Sequence, residues 1–90
     1  MSVRREYRVD GSDNYAIDYV PQRNGTYKLY ASHHPPDPHG KGAHATHVYS
    51  DREICVSSGR EPRSLAQATT IGKAWCEGYS QYRRTGRFPA

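Results

Sequence analysis

Two cysteines are the residues of this sequence with the most specific chemistry. Cys55 lies between Ile54 and Val56 in a short β-prone run, whereas Cys76 directly follows Trp75. A cysteine acts as a nucleophile when its thiol is accessible and has thiolate character. Cys55 is our candidate for that function, and we predict that Cys76 packs at the edge of an apolar helical stripe.

Several residues near Cys55 in the sequence could assist it. Histidine titrates near neutral pH, so His47 could orient the turn before Cys55 or act as a general base. Hydroxyl groups that could stabilise an oxyanion belong to Tyr49, Ser57 and Ser58. Cations that could favour the thiolate belong to Arg52, Arg60 and Arg63. The competing interpretation is that Cys55 is a small buried core residue, as many free cysteines are.

Five histidines cluster within fifteen residues of the chain: His33, His34, His39, His44 and His47. With Cys55 as a further ligand, such a cluster could bind Zn²⁺. Structural zinc modules, however, bring their ligands in closely spaced pairs, and this sequence contains no Cys-x-x-Cys pair. We therefore predict neither a metal site nor a cofactor. The prolines among these histidines instead indicate a stiff, irregular loop over residues 33–46.

An alternating pattern predicts the centre of an antiparallel sheet. Residues 15–20 alternate between the two faces of a strand, and one face carries Tyr15, Ile17 and Tyr19. A second β-rich run covers residues 26–32. The Asn24-Gly25 pair between the two runs is typical of a hairpin turn, because both residues tolerate positive φ angles.

Two further β-prone segments extend this meander. A charged strand over residues 3–9 would lie at an edge of the sheet. Residues 47–49 and 54–56 flank a polar turn and predict a tight second hairpin, with Cys55 on its returning strand. We thus expect three to four antiparallel strands, within about residues 3–32 and 47–57.

The clearest predicted element is a C-terminal amphipathic helix over about residues 65–84. Ser64 and Gln67 form a capping-box pattern at its start, and Gly86 is placed to end it in a left-handed conformation. Apolar and aromatic residues recur at spacings of three and four: Leu65, Ala68, Ile71, Gly72, Trp75, Tyr79 and Tyr82. The sequence therefore predicts a single α+β domain over residues 1–90, a small β-meander followed by one helix.

Composition limits what this domain can be. It has 90 residues, 34% of them hydrophobic, with eight tyrosines and a net charge of +4. With so few aliphatic residues, the core must also contain tyrosine rings that bury one face. The sequence has no apolar run of the roughly 20 residues that cross a bilayer, and no signal peptide. We expect a cytoplasmic protein that makes no membrane contact and whose two cysteines remain reduced.

Several short motifs occur together in a characteristic order. Taken along the chain, they are His33-His34-Pro35-Pro36, His47-Val48-Tyr49-Ser50-Asp51, Ile54-Cys55-Val56, Pro62-x-Ser64-Leu65-Ala66, Trp75 with Tyr79, and Thr85-Gly86-x-Phe88-Pro89. With the second hairpin and the helix, they resemble a ubiquitin-conjugating (carrier) enzyme, especially the compact bacterial members. The resemblance covers roughly residues 24 to 89.

This resemblance implies a minimal ubiquitin-conjugating-enzyme-like fold and a cysteine transferase. Cys55 falls on the position of the catalytic cysteine, which would form a thioester with the C-terminus of a ubiquitin-like protein. The partners it implies are that ubiquitin-like protein and the adenylating enzyme that delivers it. It also suggests that His47 holds the turn before Cys55 through a hydrogen bond from its ring to the backbone.

The sequence departs from the family pattern at three places. Eukaryotic members have His-Pro-Asn, whose Asn steadies the oxyanion, whereas Val48 and Tyr49 follow His47 here. Arg52 stands where the bacterial members usually have Gly, although a side chain resists positive φ. Only eight residues separate Cys55 from the helix cap, so the flap beyond the cysteine must be short.

A non-catalytic basic binding module is the alternative function. Such a module would bind nucleic acid or inhibit another protein, as small phage and mobile-element proteins do. Tyrosines interleaved with arginines on a sheet could stack on bases and neutralise phosphates. We favour the simpler interpretation, in which the alternating tyrosines form the core face that receives the helix.

Overall fold

Three antiparallel strands form a sheet in the order β1-β2-β3 in the computed structural model, which describes residues 1–89. They are β1 (Val3–Val9), β2 (Asp13–Pro21) and β3 (Tyr27–His33). Tyr15, Ile17 and Tyr19 of β2 are buried, because their common face lies under the helix. The predicted edge position of β1 is confirmed, and its charged residues are exposed.

Both turns of the meander use positive φ angles. In the β1–β2 turn, Asp10 and Gly11 have φ angles of 55° and 72°. In the β2–β3 turn, Gly25 has a φ of 86°, and the Asn24 side chain accepts hydrogen bonds from both the backbone N–H and the hydroxyl of Thr26. The Asn24-Gly25 pair therefore makes the hairpin turn that the sequence predicts.

The second hairpin is present as two isolated bridges rather than as full strands. Val48 pairs with Ile54 within the hairpin, and Glu53 pairs with Tyr30 of β3. The hairpin thus adds a short fourth segment beside β3. The hairpin is short because few residues on either side can extend its hydrogen-bond ladder. The Pro/His-rich segment precedes it, and a short flap follows it.

A one-turn helix, α1 (Ala43–Thr46), corrects the prediction that residues 33–46 are irregular throughout. The three prolines of this segment all precede residue 39, so nothing in Ala43–Thr46 lacks a backbone N–H. His47 ends the turn in the left-handed region, with a φ of 59°.

The long helix α2 (Leu65–Thr85) begins and ends as the sequence predicts. The Ser64 hydroxyl accepts a hydrogen bond from Gln67 N at 3.1 Å, which satisfies one of the free N–H groups of the first turn. Gly86 ends the helix with a φ of 81°, and its N–H donates to the carbonyl of Tyr82. No helix of residues 1–89 is both long and apolar enough to cross a bilayer.

Tyrosine rings dominate the core between α2 and the sheet, and their hydroxyls are paired. The Tyr15 hydroxyl bonds that of Ser80 at 2.6 Å, and the Tyr19 hydroxyl bonds that of Tyr7 at 2.7 Å. Trp75 packs edge-on to Tyr15 and donates its indole N–H to a backbone carbonyl. Buried polar groups of this kind stabilise a core only when they are hydrogen-bonded. Because these tyrosines are covered, they do not form an open surface for stacking bases.

Candidate functional site

Backbone hydrogen bonds place Cys55 at the end of the second hairpin. Its N–H donates to the carbonyl of His47 at 2.8 Å, and the N–H of Ile54 donates to the carbonyl of Leu29 at 2.8 Å. Ile54 is buried in the core. Because successive side chains of an extended segment alternate between faces, Cys55 points away from that core. Its side chain is half-buried, and the thiol is free.

Tyr49 brings a phenol to this thiol. Its N–H donates to the carbonyl of Glu53 at 2.9 Å, so the two residues face each other across the hairpin. Its interaction with the neighbouring Cys55 thiol raises the pKa of the Tyr49 phenol. Tyr49 is 53% exposed. A phenol close to a thiol can donate a hydrogen bond to an oxyanion that forms there.

His47 contacts the cysteine segment through its backbone. Its carbonyl accepts the N–H of Cys55, while its ring lies against Phe88 with the ring centroids 4.5 Å apart. Within residues 1–89 the ring makes no hydrogen bond to the backbone of the turn. Sequence reasoning missed this use of Phe88, although the residue belongs to the C-terminal motif of the resemblance.

Arg52 adopts the backbone conformation that a glycine would take at its position. Its φ is 74°, and its N–H donates to the carbonyl of Tyr49 to close the turn. The guanidinium donates to the carbonyl of Ser32 at 2.6 Å. The Arg52 side chain is therefore anchored on β3, and this contact offsets part of the cost of a positive φ.

Ser57 and Ser58 lie in an exposed turn beyond the cysteine. The carbonyl of Ser57 accepts the N–H of Arg60 at 2.9 Å, and Gly59 has a φ of 83°. In the described part of the chain neither serine hydroxyl makes a hydrogen bond to Cys55. None of the three candidate oxyanion donors forms a hydrogen bond to the thiol in residues 1–89, but Tyr49 lies close enough for Cys55 to raise the pKa of its phenol.

Cys76 has the opposite environment. It is fully buried in α2 rather than at the edge of the apolar stripe. Burial raises the pKa of its thiol to about 12, and the neighbouring Glu77 carboxylate adds to the rise. A thiol that is both covered and protonated is a poor nucleophile at neutral pH.

This contrast predicts a single reactive thiol in the folded protein. Iodoacetamide at pH 8 is expected to alkylate Cys55 and to leave Cys76 unmodified, because the raised pKa keeps the Cys76 thiol protonated well above that pH. Intact-mass analysis should therefore show one adduct in buffer and two in denaturant. Two adducts in buffer, formed at equal rates, would contradict the assignment.

The rings of His34, His39 and His47 pack separately against α2 and the C-terminal segment. The His34 ring contacts Trp75 and Tyr79 edge-on, and its Nδ1 lies 2.7 Å from the carbonyl of Pro35. His39 Nε2 lies 3.1 Å from the carbonyl of Arg83. No group of three or more His, Cys, Asp or Glu side chains among residues 1–89 is arranged to hold a metal ion. These two rings serve to fasten the Pro/His-rich loop to the helix.

The fold and the site together define a small α+β domain with one accessible thiol beside a phenol. No protein-family model, no curated protein and no solved structure matches this chain.

Proposed function

We propose that the protein is a minimal ubiquitin-conjugating-like carrier that forms a thioester between Cys55 and the C-terminus of a ubiquitin-like protein. The observation that carries this proposal is the half-buried Cys55 thiol beside the exposed Tyr49 phenol, at the foot of a tight hairpin. The chain has a β-meander, then a cysteine at the end of the last hairpin, and then a helix. This is the order of elements that the family resemblance implies.

The chemistry needs two acyl transfers. In the first, the Cys55 thiolate attacks the carbonyl carbon of the thioester carried by the adenylating enzyme, and the thiolate of that enzyme leaves. In the second, an amine attacks the new thioester, loses a proton and releases the Cys55 thiolate. Each step passes through a tetrahedral oxyanion, which hydrogen-bond donors fixed close to the sulfur stabilise.

Tyr49 would supply the donor that the missing Asn supplies in eukaryotic members. A tyrosine phenol is protonated at neutral pH, so Tyr49 has an O–H to donate. The hairpin holds Tyr49 and Cys55 on adjoining segments, which limits the movement needed to reach the oxyanion.

Replacing Tyr49 with phenylalanine tests this function. The Tyr49→Phe variant keeps the ring and loses the hydroxyl, so transfer to an amine is expected to slow by about 10²-fold, the usual cost of one oxyanion donor. The measurement is single-turnover discharge of a preformed Cys55 thioester to free lysine, followed on non-reducing gels. Ser57→Ala is the matched control and should discharge at the wild-type rate. Equal rates for Tyr49→Phe and the wild type would remove Tyr49 from the mechanism.

A further inference from the structure

The outer edge of β1 carries unpaired backbone groups. In the described chain β1 pairs with β2 over all seven of its residues and with no other segment. The opposite edge of the sheet differs, because the second hairpin and Pro62 bond to β3. Within residues 1–89 no backbone hydrogen bond reaches β1 from its outer side. An exposed row of N–H and C=O groups is a template for pairing with another extended chain.

Alternation along the strands identifies the backbone groups of β1 that point outward. Leu29 C=O accepts a hydrogen bond from the second hairpin, so its neighbour Tyr30 faces β2. Tyr30 is paired with Asp18 of β2, and the next residue, Tyr19, therefore faces β1. Tyr19 is paired with Val3, so the odd-numbered residues of β1 bond to β2. The even-numbered residues 4, 6 and 8 thus turn their N–H and C=O groups outward.

The side chains at these outward positions give the edge a charge pattern. Arg4, Glu6 and Arg8 are exposed and lie on the sheet face away from α2. The Arg4 guanidinium is paired with the Asp18 carboxylate at 2.6 Å. Glu6 and Arg8 form no ion pair within the described residues, and Arg8 Nε–H donates to the Asn14 side chain. A strand that fits this edge therefore carries a cation opposite Glu6 and an anion opposite Arg8.

A second copy of β1 supplies this pattern in one antiparallel register. Two strands related by a two-fold axis bond to each other when outward-facing residues lie opposite each other, so the axis passes through a residue rather than between two. An axis at any of the charged positions 4, 5, 6 or 8 places two identical charges directly opposite each other, which destabilises a sheet. An axis at either terminal valine leaves most of the strand unpaired. An axis at Tyr7 instead pairs the two tyrosines and places Glu6 opposite Arg8 on both sides of the axis.

We propose that the protein forms a homodimer in which two β1 strands pair antiparallel across a two-fold axis at Tyr7. Each Glu6–Arg8 pair exchanges two backbone hydrogen bonds, and the half-buried Tyr7 rings meet on the helix face. The dimer has one continuous sheet in the order β3-β2-β1-β1-β2-β3, so neither β1 edge remains exposed. Cys55 lies beyond β3, so the two thiols are at opposite ends of this sheet. The dimer does not depend on the proposed carrier function, because β1 precedes the segment that carries the family resemblance.

Charge reversal tests the register. Glu6→Arg gives an edge with cations at both positions, and Arg8→Glu gives an edge with anions at both. In sedimentation equilibrium each variant should dimerise more weakly than the wild type by about tenfold or more, because two like-charge pairs replace two opposite-charge pairs. An equimolar mixture of the two variants should recover the wild-type association as a heterodimer, since it restores both opposite-charge pairs. Lys28→Glu, an exposed charge reversal on β3, is the matched control and should dimerise like the wild type.

A disulfide at the axis tests the same register by distance. In a protein with Cys55→Ala and Cys76→Ala, Tyr7→Cys places two thiols in a pair whose Cα atoms lie about 4.5 Å apart, within disulfide range. Dissolved oxygen with copper phenanthroline then oxidises the two thiols, each of which loses a proton and an electron, to an intermolecular disulfide. Arg5→Cys in the same background is the control, because its two thiols would lie about 13 Å apart along the strands. Non-reducing gels should show a covalent dimer for Tyr7→Cys alone.

Three results would each overturn the proposed dimer. The first is a wild-type protein that sediments as a monomer at millimolar concentration. The second is a dimer that the mixed charge variants do not restore, because another surface or register would then hold the two copies together. The third is a covalent dimer that forms as fast with Arg5→Cys as with Tyr7→Cys, which would exclude an axis at Tyr7.

Discussion

Replacing Cys55 with alanine is expected to abolish the thiol-labile adduct with a ubiquitin-like protein completely. The adduct requires a thiolate that can reach the donor thioester, and Cys76 is covered by the helix and protonated. The assay combines ATP, an adenylating enzyme, its ubiquitin-like protein and this protein, and follows the adduct on gels with and without thiol. Wild type should show a band that disappears on addition of thiol.

Two matched variants sharpen this result. Cys76→Ala removes the other thiol without introducing a buried polar group, and it should form the adduct at close to the wild-type level. Cys55→Ser should lose the thiol-labile band and show at most a thiol-resistant ester. An adduct that survives in Cys55→Ala but vanishes in Cys76→Ala would show that the site is assigned to the wrong cysteine. No adduct in the wild type would instead favour a non-catalytic binding module.

Replacing Gly72 with alanine is expected to destabilise the fold by about 2 kcal/mol. This is the free-energy cost of overpacking the core minus the smaller gain in helix propensity. A Cβ at Gly72 would lie 2.9 Å from Cζ of Tyr19 and closer still to its hydroxyl. The Tyr19 ring has no exposed surface, and its hydroxyl is bonded to that of Tyr7. The ring therefore cannot move aside without losing this hydrogen bond. Urea denaturation of wild type and variant measures the difference.

Gly78→Ala is the matched control on the same helix. A Cβ there would lie 2.6 Å from the Phe88 ring, which is half-buried. Because that ring can shift toward solvent, Gly78→Ala should remain within about 1 kcal/mol of the wild type, the size of the helix-propensity gain itself. Equal destabilisation by the two substitutions would mean that the Gly72 contact with Tyr19 is not the constraint we describe.

The secondary structure was largely predictable because each element has a local signal. The alternation of Tyr15, Ile17 and Tyr19 marks a strand with one buried face, and Ser64 and Gly86 mark the two ends of the helix. Such signals depend on residues close together in sequence. The one-turn helix α1 was missed for two reasons. Its four residues are too few to show a helical period, and the prolines and glycines before it predict a loop.

The environment of the candidate site was less predictable. Sequence proximity made Tyr49, Ser57 and Ser58 equivalent candidates beside Cys55, and only the pairing of the hairpin brings the Tyr49 phenol to the thiol. Sequence proximity also did not reveal that the Arg52 guanidinium would donate a hydrogen bond to β3. Such contacts join residues from different elements, so they depend on strand register rather than on local pattern.

By itself, the sequence determined that this protein is a small α+β domain with a tyrosine-rich core and a capped C-terminal helix, since periodicity and capping are local properties. Only the tertiary structure decided which cysteine is accessible and which is buried. Burial arises when distant segments pack together, and no single segment encodes it.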